Sequence, residues 1–367
     1  MSSFSSEPHY HRQRQSTIRV KTVASAKHRY AYLDGIRGIA ALFVIMRHTP
    51  EFWNFQIFRS YLAVDIFFIL SGFVIANAYG RKMEAGTLSL RGFFLLRIIR
   101  LYPVYVLSLC LAIPAYLMGI GDQGGALSGT ETGLLIALSL LFLPGVLVPG
   151  GLLFPINGPY WSLFFELLAN VIYGVIHPFL STKTLVALVS FLGLLLLGAS
   201  AYQGNLDIGF IQEFKAVVAG LTRASFGIFF GVLLYSQMGR WTIRPRPWLA
   251  IALICAVFLI PSFGRFDFVV DILALFVLFP ACVLLAATPK EDAFSKGMLF
   301  LGSASYPIYV LHEPLGKLVL AATGGQAAAL APYSGWLLIL FLLPLAALLE
   351  TRVDDPLRRK VSRFFIR

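Results

Sequence analysis

LDGIRGIAALFVIMRH, residues 33–48, is an apolar stretch with charge at both ends: Asp34 and Arg37 open it, Arg47 and His48 close it. Ionisable groups inside a membrane span are costly, so where they occur they mark a pathway, a site or a buried pair. Arg37 and His48 are 11 residues apart. In a helix that is three turns, which puts them on nearly the same side about 16 Å apart along the axis. A fixed cation and an imidazole thus share one face of one span.

The rest of the chain has the same character. Of 367 residues, 58% are hydrophobic and 13% charged, about half the charged share of a soluble protein. Apolar runs of bilayer-spanning length recur near 36–53, 61–79, 99–119, 132–148, 160–180, 184–201, 216–236, 248–263, 268–287, 298–320 and 333–350. These predict an all-α fold, a polytopic transmembrane helix bundle, flanked by a basic, disordered N-terminal tail (1–30) and a basic C-terminal tail (356–367). One membrane domain, residues 31–355, lies between them. The net charge of +12 sits in short basic blocks beside apolar spans. That is the positive-inside pattern, and it argues for a lipid bilayer as partner and against nucleic acid. Cys110, Cys255 and Cys282 all fall in apolar runs, as small core residues rather than metal ligands or a disulfide framework.

Basic stretches at the N-terminus, Arg81–Arg100, Arg240–Arg246 and Arg358–Arg367 place all four on the cytoplasmic side. Between Arg100 and Arg240 an even number of crossings is then needed, yet five segments lie there. The segment 132–148 runs into PGVLVPGGLLFPINGP, backbone suited to a re-entrant or interfacial piece. Leaving it out gives about 10 crossings with both termini inside, and puts the loops 120–131 and 202–215 outside.

Counting along the helices from these ends places His48, Asp65 of AVDIFFILSGF and Glu166 of YWSLFFE in one outer-leaflet cluster. There a carboxylate either orients the imidazole for proton transfer or merely pairs to hold the bundle. Arg97 and Arg100 of FFLLRIIRLYP are neighbours at i,i+3, at the same depth as Arg37. Three guanidiniums there make either a phosphate clamp or a set of orienting residues at helix ends. Arg47 beside His48 needs a neutralising carboxylate, with Glu51 and Asp65 the candidates. Arg223 is expected to join the cationic pocket or to pair with Glu166 or Asp271. His312–Glu313 forms a second His–carboxylate pair, and Gly72 and FGIFFG mark close helix packing. Phosphate-loop, zinc-helix and nucleophile-elbow motifs are absent from the sequence.

Taken together, YLDGIRGIAALFVIMRH, AVDIFFILSGFVI, FFLLRIIRLYPVY, GPYWSLFFELLANVIYG, RASFGIFFGVLLY, SYPIYVLHEPL and ETRVDDPLRR resemble, in this order, the acyltransferase 3 family of integral-membrane O-acyltransferases. The resemblance covers roughly residues 30–360. It implies a multi-pass inner-membrane enzyme with cytoplasmic termini. Such an enzyme transfers an acyl group, usually acetyl, from cytoplasmic acetyl-CoA to a hydroxyl of a cell-surface or secreted glycan or a lipid-linked glycan. No tightly bound cofactor or metal is implied; acyl-CoA is the donor substrate, and glycan-assembly proteins are possible partners. Some relatives carry an extracytoplasmic SGNH hydrolase-like second transferase; here the membrane bundle is expected to serve its acceptor alone or with a partner. The family's essential histidine falls on His48, its first arginine on Arg37 and its RxxR pair on Arg97 and Arg100. The aspartate of its VDxFFxLSG motif falls on Asp65 and the glutamate of WSLxxE on Glu166. Leu167 stands where a second carboxylate often follows. A proton-coupled carrier of an anionic or sugar-like solute would use the same residue types, but the two halves of the chain share no internal repeat. The topology is testable by single-cysteine labelling at Ser128 and Asn205: both are expected to react with impermeant reagent from outside, and cytoplasmic labelling of either would overturn the count.

Overall fold

The computed structural model describes residues 29–119, 127–148, 150–240 and 243–365. Of the expected N-terminal tail, only Arg29 and Tyr30 lie among the described residues. Each of the eleven apolar segments forms a helix. The first is α1 (Ala31–His48); α2 (Ala63–Ile75) continues through a π-turn, Ala76–Gly80, to Glu84. Then come α3 (Leu90–Leu117), α4 (Gly129–Leu140), α5 (Tyr160–Ile176), α6 (Thr182–Gln203) and α7 (Phe214–Gln237). The last five are α8 (Pro247–Leu259), α9 (Gly264–Ala286), α10 (Ser295–Ala322), α11 (Tyr333–Leu349) and α12 (Asp355–Phe365).

Among the described residues, 7 helical stretches are long and apolar enough to cross a membrane. The helices α1 and α10 have 18 and 28 residues, long enough to span, but carry the polar groups of the site. In contrast α4 has 12 residues, about 18 Å of helix against a hydrocarbon core of about 30 Å. With 13 residues α8 is similarly short, so length alone does not single out α4. Past α4, the described residues of 141–148 and 150–159 run on as irregular chain.

Local signals set the helix ends. Ser89 caps α3 by accepting from Gly92 N at 3.1 Å. Ser128–Glu131 and Ser181–Thr184 form reciprocal capping boxes on α4 and α6. Asp292 precedes α10 and accepts from Ser295 N at 3.1 Å and from the Tyr32 hydroxyl. These donors, Tyr32 foremost, hold its carboxyl below the usual carboxylate range. Pro314 inside α10 cannot donate to the Val310 carbonyl, and Asn157 Nδ2 takes that acceptor at 2.9 Å. The irregular 141–159 stretch is thereby pinned to the bundle.

Two helix pairs pack at backbone distance. A Cβ added at Gly72 of α2 would lie 1.9 Å from Ile228 O, and one at Gly231 of α7 2.0 Å from Ile69 O. On α1 and α10, a Cβ added at Gly38 would lie 2.6 Å from the Leu301 backbone, and one at Gly302 2.5 Å from Asp34 Cβ. Within a bilayer, where water adds no drive for helices to associate, close approach is a main source of packing energy. The Gly72 and FGIFFG expectation is met here.

Loops 144–158 and 204–213 are joined by backbone bonds, Leu153 N to Phe210 O at 2.8 Å and Gln212 N to Gly151 O at 3.1 Å. The Gln212 amide adds bonds to Gly145 O at 3.0 Å and Leu152 O at 2.9 Å. Beside them Arg59, fully buried, donates to Asp267 at 2.5 Å and Asp271 at 2.6 Å. Tyr61 OH donates to Asp271 at 2.7 Å, as does Leu206 N at 2.9 Å. Gly72→Ala and Gly231→Ala are each expected to cost about 1–3 kcal/mol or more through overpacking. The measurement is the thermal unfolding midpoint of the detergent-solubilised protein.

Candidate active site

Two cavities lie along α1. The first, about 110 Å³, is lined by Arg37, Arg97, Arg100, Glu166, Tyr306 and Tyr309. The second, about 220 Å³, is lined by Arg47, His48, Trp161, Asp207, Tyr309 and Glu313. Val64 and Tyr309 belong to both, so one thin wall separates them. The Tyr309 hydroxyl is bonded to Ser162 Oγ at 2.6 Å and donates to Pro159 O at 3.2 Å. The helical path from Arg37 to His48 is unbroken, so the sequence estimate of three turns holds.

His48 is the last residue of α1, and its side chain is 30% exposed. Its Nδ1 lies 3.7 Å from Glu313 Oε2, and its ring stacks edge-on against His312 with centroids 5.3 Å apart. Glu313 is held on its other oxygen by Lys317 Nζ at 2.7 Å, one turn further along α10. A Cβ on Gly158 would come within 3.1 Å of Glu313 Oε2. A bare backbone there leaves room for that carboxylate.

The cluster expected from His48, Asp65 and Glu166 is not what the fold builds. Asp65 faces α7, where Arg223 grips both of its oxygens, Nε at 2.8 Å and Nη2 at 2.6 Å. Both side chains are buried. Arg223 also donates to Tyr61 O at 2.9 Å and Ile208 O at 3.2 Å, and its guanidinium lies 5.7 Å from the Trp161 ring. Asp65 therefore supports the histidine cavity from behind, through Trp161, instead of touching His48. Glu166 sits one turn past Ser162 on α5 and belongs to the other cavity. It accepts from Arg97 Nη2 at 2.7 Å and Ser71 Oγ at 2.6 Å. Counting along a helix gives depth but not the direction of facing, and direction separates these three residues.

The arginines do converge: Arg37, Arg97 and Arg100 line one cavity. Each has an acid nearby, Arg97 with Glu166 at 2.7 Å, Arg100 with Asp354 at 3.2 Å and Arg37 with Asp34 at 4.0 Å. Arg47 is neutralised by Asp207 and lies 5.3 Å from the Tyr61 ring. Neither Glu51 nor Asp65 is its partner. Asp207 sits in a short loop with no periodic signal, so the sequence offered nothing to find it by; Glu313 was visible in LHEPL without its partner. The cysteines are unpaired, and among the described residues no group of three or more His, Cys, Asp or Glu is placed to hold a metal ion.

Such an arrangement suits anion binding at one end and proton transfer at the other. A family model described as an acyltransferase domain matches residues 30–350. A protein of Rhizobium radiobacter, named Protein 2 in picA locus, is 45% identical over 161 residues, 41% of this chain and 83% of that protein. A Staphylococcus aureus (strain COL) protein provisionally named an O-acetyltransferase is 32% identical over 92 residues, 25% of this chain. The match spans only 15% of that relative's own length, and a protein of strain N315 matches to the same extent. No solved structure matches the chain. For the buried pair, Arg223→Ala is expected to cost about 3–5 kcal/mol by leaving Asp65 buried and unpaired, with the double variant Asp65→Leu, Arg223→Leu recovering part of it. Thermal unfolding in detergent measures both.

Proposed function

Because the chain belongs to the acyltransferase 3 family and is a multi-pass membrane acyltransferase, we propose that it carries an acyl group from cytoplasmic acyl-CoA to a hydroxyl of a cell-surface or secreted glycan. Acetyl is the expected group. The observation that carries the reading is the pair of cavities at the two ends of α1, basic at one end and bearing an accessible imidazole at the other, with Tyr309 in the wall between them. The reading puts the arginine cavity toward the cytoplasm of an inner membrane, with both termini on that side.

Arg37, Arg97 and Arg100 hold the CoA phosphates, for which planar guanidinium forks are suited. The pantetheine arm crosses the Tyr309 wall, spanning the about 16 Å between Arg37 and His48. His48 takes the proton of the acceptor hydroxyl as its oxygen bonds to the thioester carbon. Glu313, facing Nδ1, keeps the other ring nitrogen for this transfer. The tetrahedral oxyanion is met by the Tyr309 hydroxyl, whose proton turns to it from Pro159 O. The carbon–sulfur bond then breaks, and the CoA thiolate leaves with the proton from His48. Asp65 and Glu166, which the resemblance places among the site's acids, act through Arg223 and Arg97 respectively.

The test supplies purified protein with labelled acetyl-CoA and the glycan of its host membrane. His48→Ala is expected to lower acyl transfer by about 10²–10⁴-fold while the protein still assembles. Arg97→Ala is expected to raise KM for acyl-CoA by about tenfold or more with a smaller effect on kcat. Glycan labelling at the wild-type rate by His48→Ala would overturn the assignment.

A further inference from the structure

ETRVDDPLRR, residues 350–359, is a motif to which the reaction above gives no role. The helix α11 does not stop at its polar end. It widens into one π-turn, Glu350–Asp354, before continuing as α12. Widened turns of this kind are uncommon and gather at functional sites. Here the turn presents Glu350 and Asp354 to the same two arginines.

Asp354 is fully buried. Its Oδ2 lies between Arg100 Nη1 at 3.2 Å and Arg358 Nε at 3.0 Å. Arg358 Nη2 donates to Glu350 Oε1 at 2.5 Å, and Glu350 Oε2 stands 3.9 Å from Arg100. The guanidinium of Arg100 also lies 5.4 Å from the Tyr306 ring. That ring is itself fixed, since Tyr306 OH donates to Leu101 O at 2.5 Å. Asp355 adds a third acid 3.9 Å from Arg358. The polar contacts of Arg100 run through Nη1, which leaves the rest of its fork to the cavity it lines.

We propose that Asp354 is a positioning residue for the donor: it acts through Arg100, holding that guanidinium between carboxylate and aromatic ring so that its remaining N–H groups face a CoA phosphate. The proposal rests on the reading of the arginine cavity as the acyl-CoA site. An unheld arginine beside a cavity snorkels toward water and loses its orientation, and ordering it again costs binding energy. The two arginines of RxxR are then treated alike, Arg97 by Glu166 and Arg100 by Asp354.

The alternative is a clamp that only fastens α12 to α3. The two readings separate in equilibrium binding of CoA to the purified full chain. Asp354→Asn is expected to weaken CoA about five- to tenfold. In the Arg100→Ala background the same substitution is expected to have no further effect, because Asp354 then has nothing to position. Glu350→Gln, removing the more distant acid, gives a smaller loss in the same direction and serves if Asp354→Asn does not fold. CoA affinity equal to or above wild type in whichever variant folds, or full additivity with Arg100→Ala, overturns the positioning role. Failure of the wild-type chain to bind CoA would instead overturn the donor-site reading on which it rests.

Discussion

A charge carried into a helix bundle loses its hydration, and only a partner with matched geometry offsets the loss. The Arg223–Asp65 pair meets this condition with Nε and Nη2 each donating to one carboxylate oxygen. It also takes the carbonyls of Tyr61 and Ile208 and lies against Trp161. One interaction therefore joins α2, α7 and the loop that carries Asp207. The Arg59–Asp267–Asp271 cluster repeats the solution next door, with Tyr61 bonded to Asp271. The two clusters stand behind the histidine cavity with every carboxylate oxygen of Asp65, Asp267 and Asp271 engaged, while His48 has a looser polar contact, 3.7 Å to Glu313.

Around that support α1 works as a spacer. Its glycines let it lie against α10 at backbone distance, and α10 supplies Tyr306, Tyr309, His312 and Glu313 along the same seam. Both cavities are therefore shaped by the α1–α10 contact, with α2, α3 and α5 closing the arginine end and the paired loops 144–158 and 204–213 roofing the histidine end. Acids placed beside arginines do not defeat anion binding in this design. Each guanidinium has five donors, and a carboxylate that occupies one edge fixes the direction of the others.

Much of the architecture was legible in the residues. Every apolar run contributes a helix, and the Gly72 and FGIFFG contacts lie where the small residues stand. Counting put Arg37, Arg97 and Arg100 at one depth and left a phosphate clamp and orienting helix-end residues as alternatives; the fold turns all three into one cavity. The grouping of His48 with Asp65 and Glu166 did not survive, because depth was inferred from helix ends while facing was not. Arg59 went unremarked beside an apolar run, and Asp207 sits in a loop where neither periodicity nor capping gives a signal. The charge on Arg47 looked like an obstacle to His48 until the loop folded Asp207 onto it.

Hydropathy and helical spacing alone settled that this is a helical membrane bundle and that Arg37 and His48 sit three turns apart on one helix. Both are local properties, dictated by the cost of burying backbone without internal hydrogen bonds and by the 3.6-residue turn. Which acid meets which base was decided only by tertiary structure. That choice depends on how neighbouring helices are rotated about their axes and on where two irregular loops close. Partners 158 residues apart, such as Asp65 and Arg223, have no shared period to announce them. They find each other because each is the charge the other cannot be buried without.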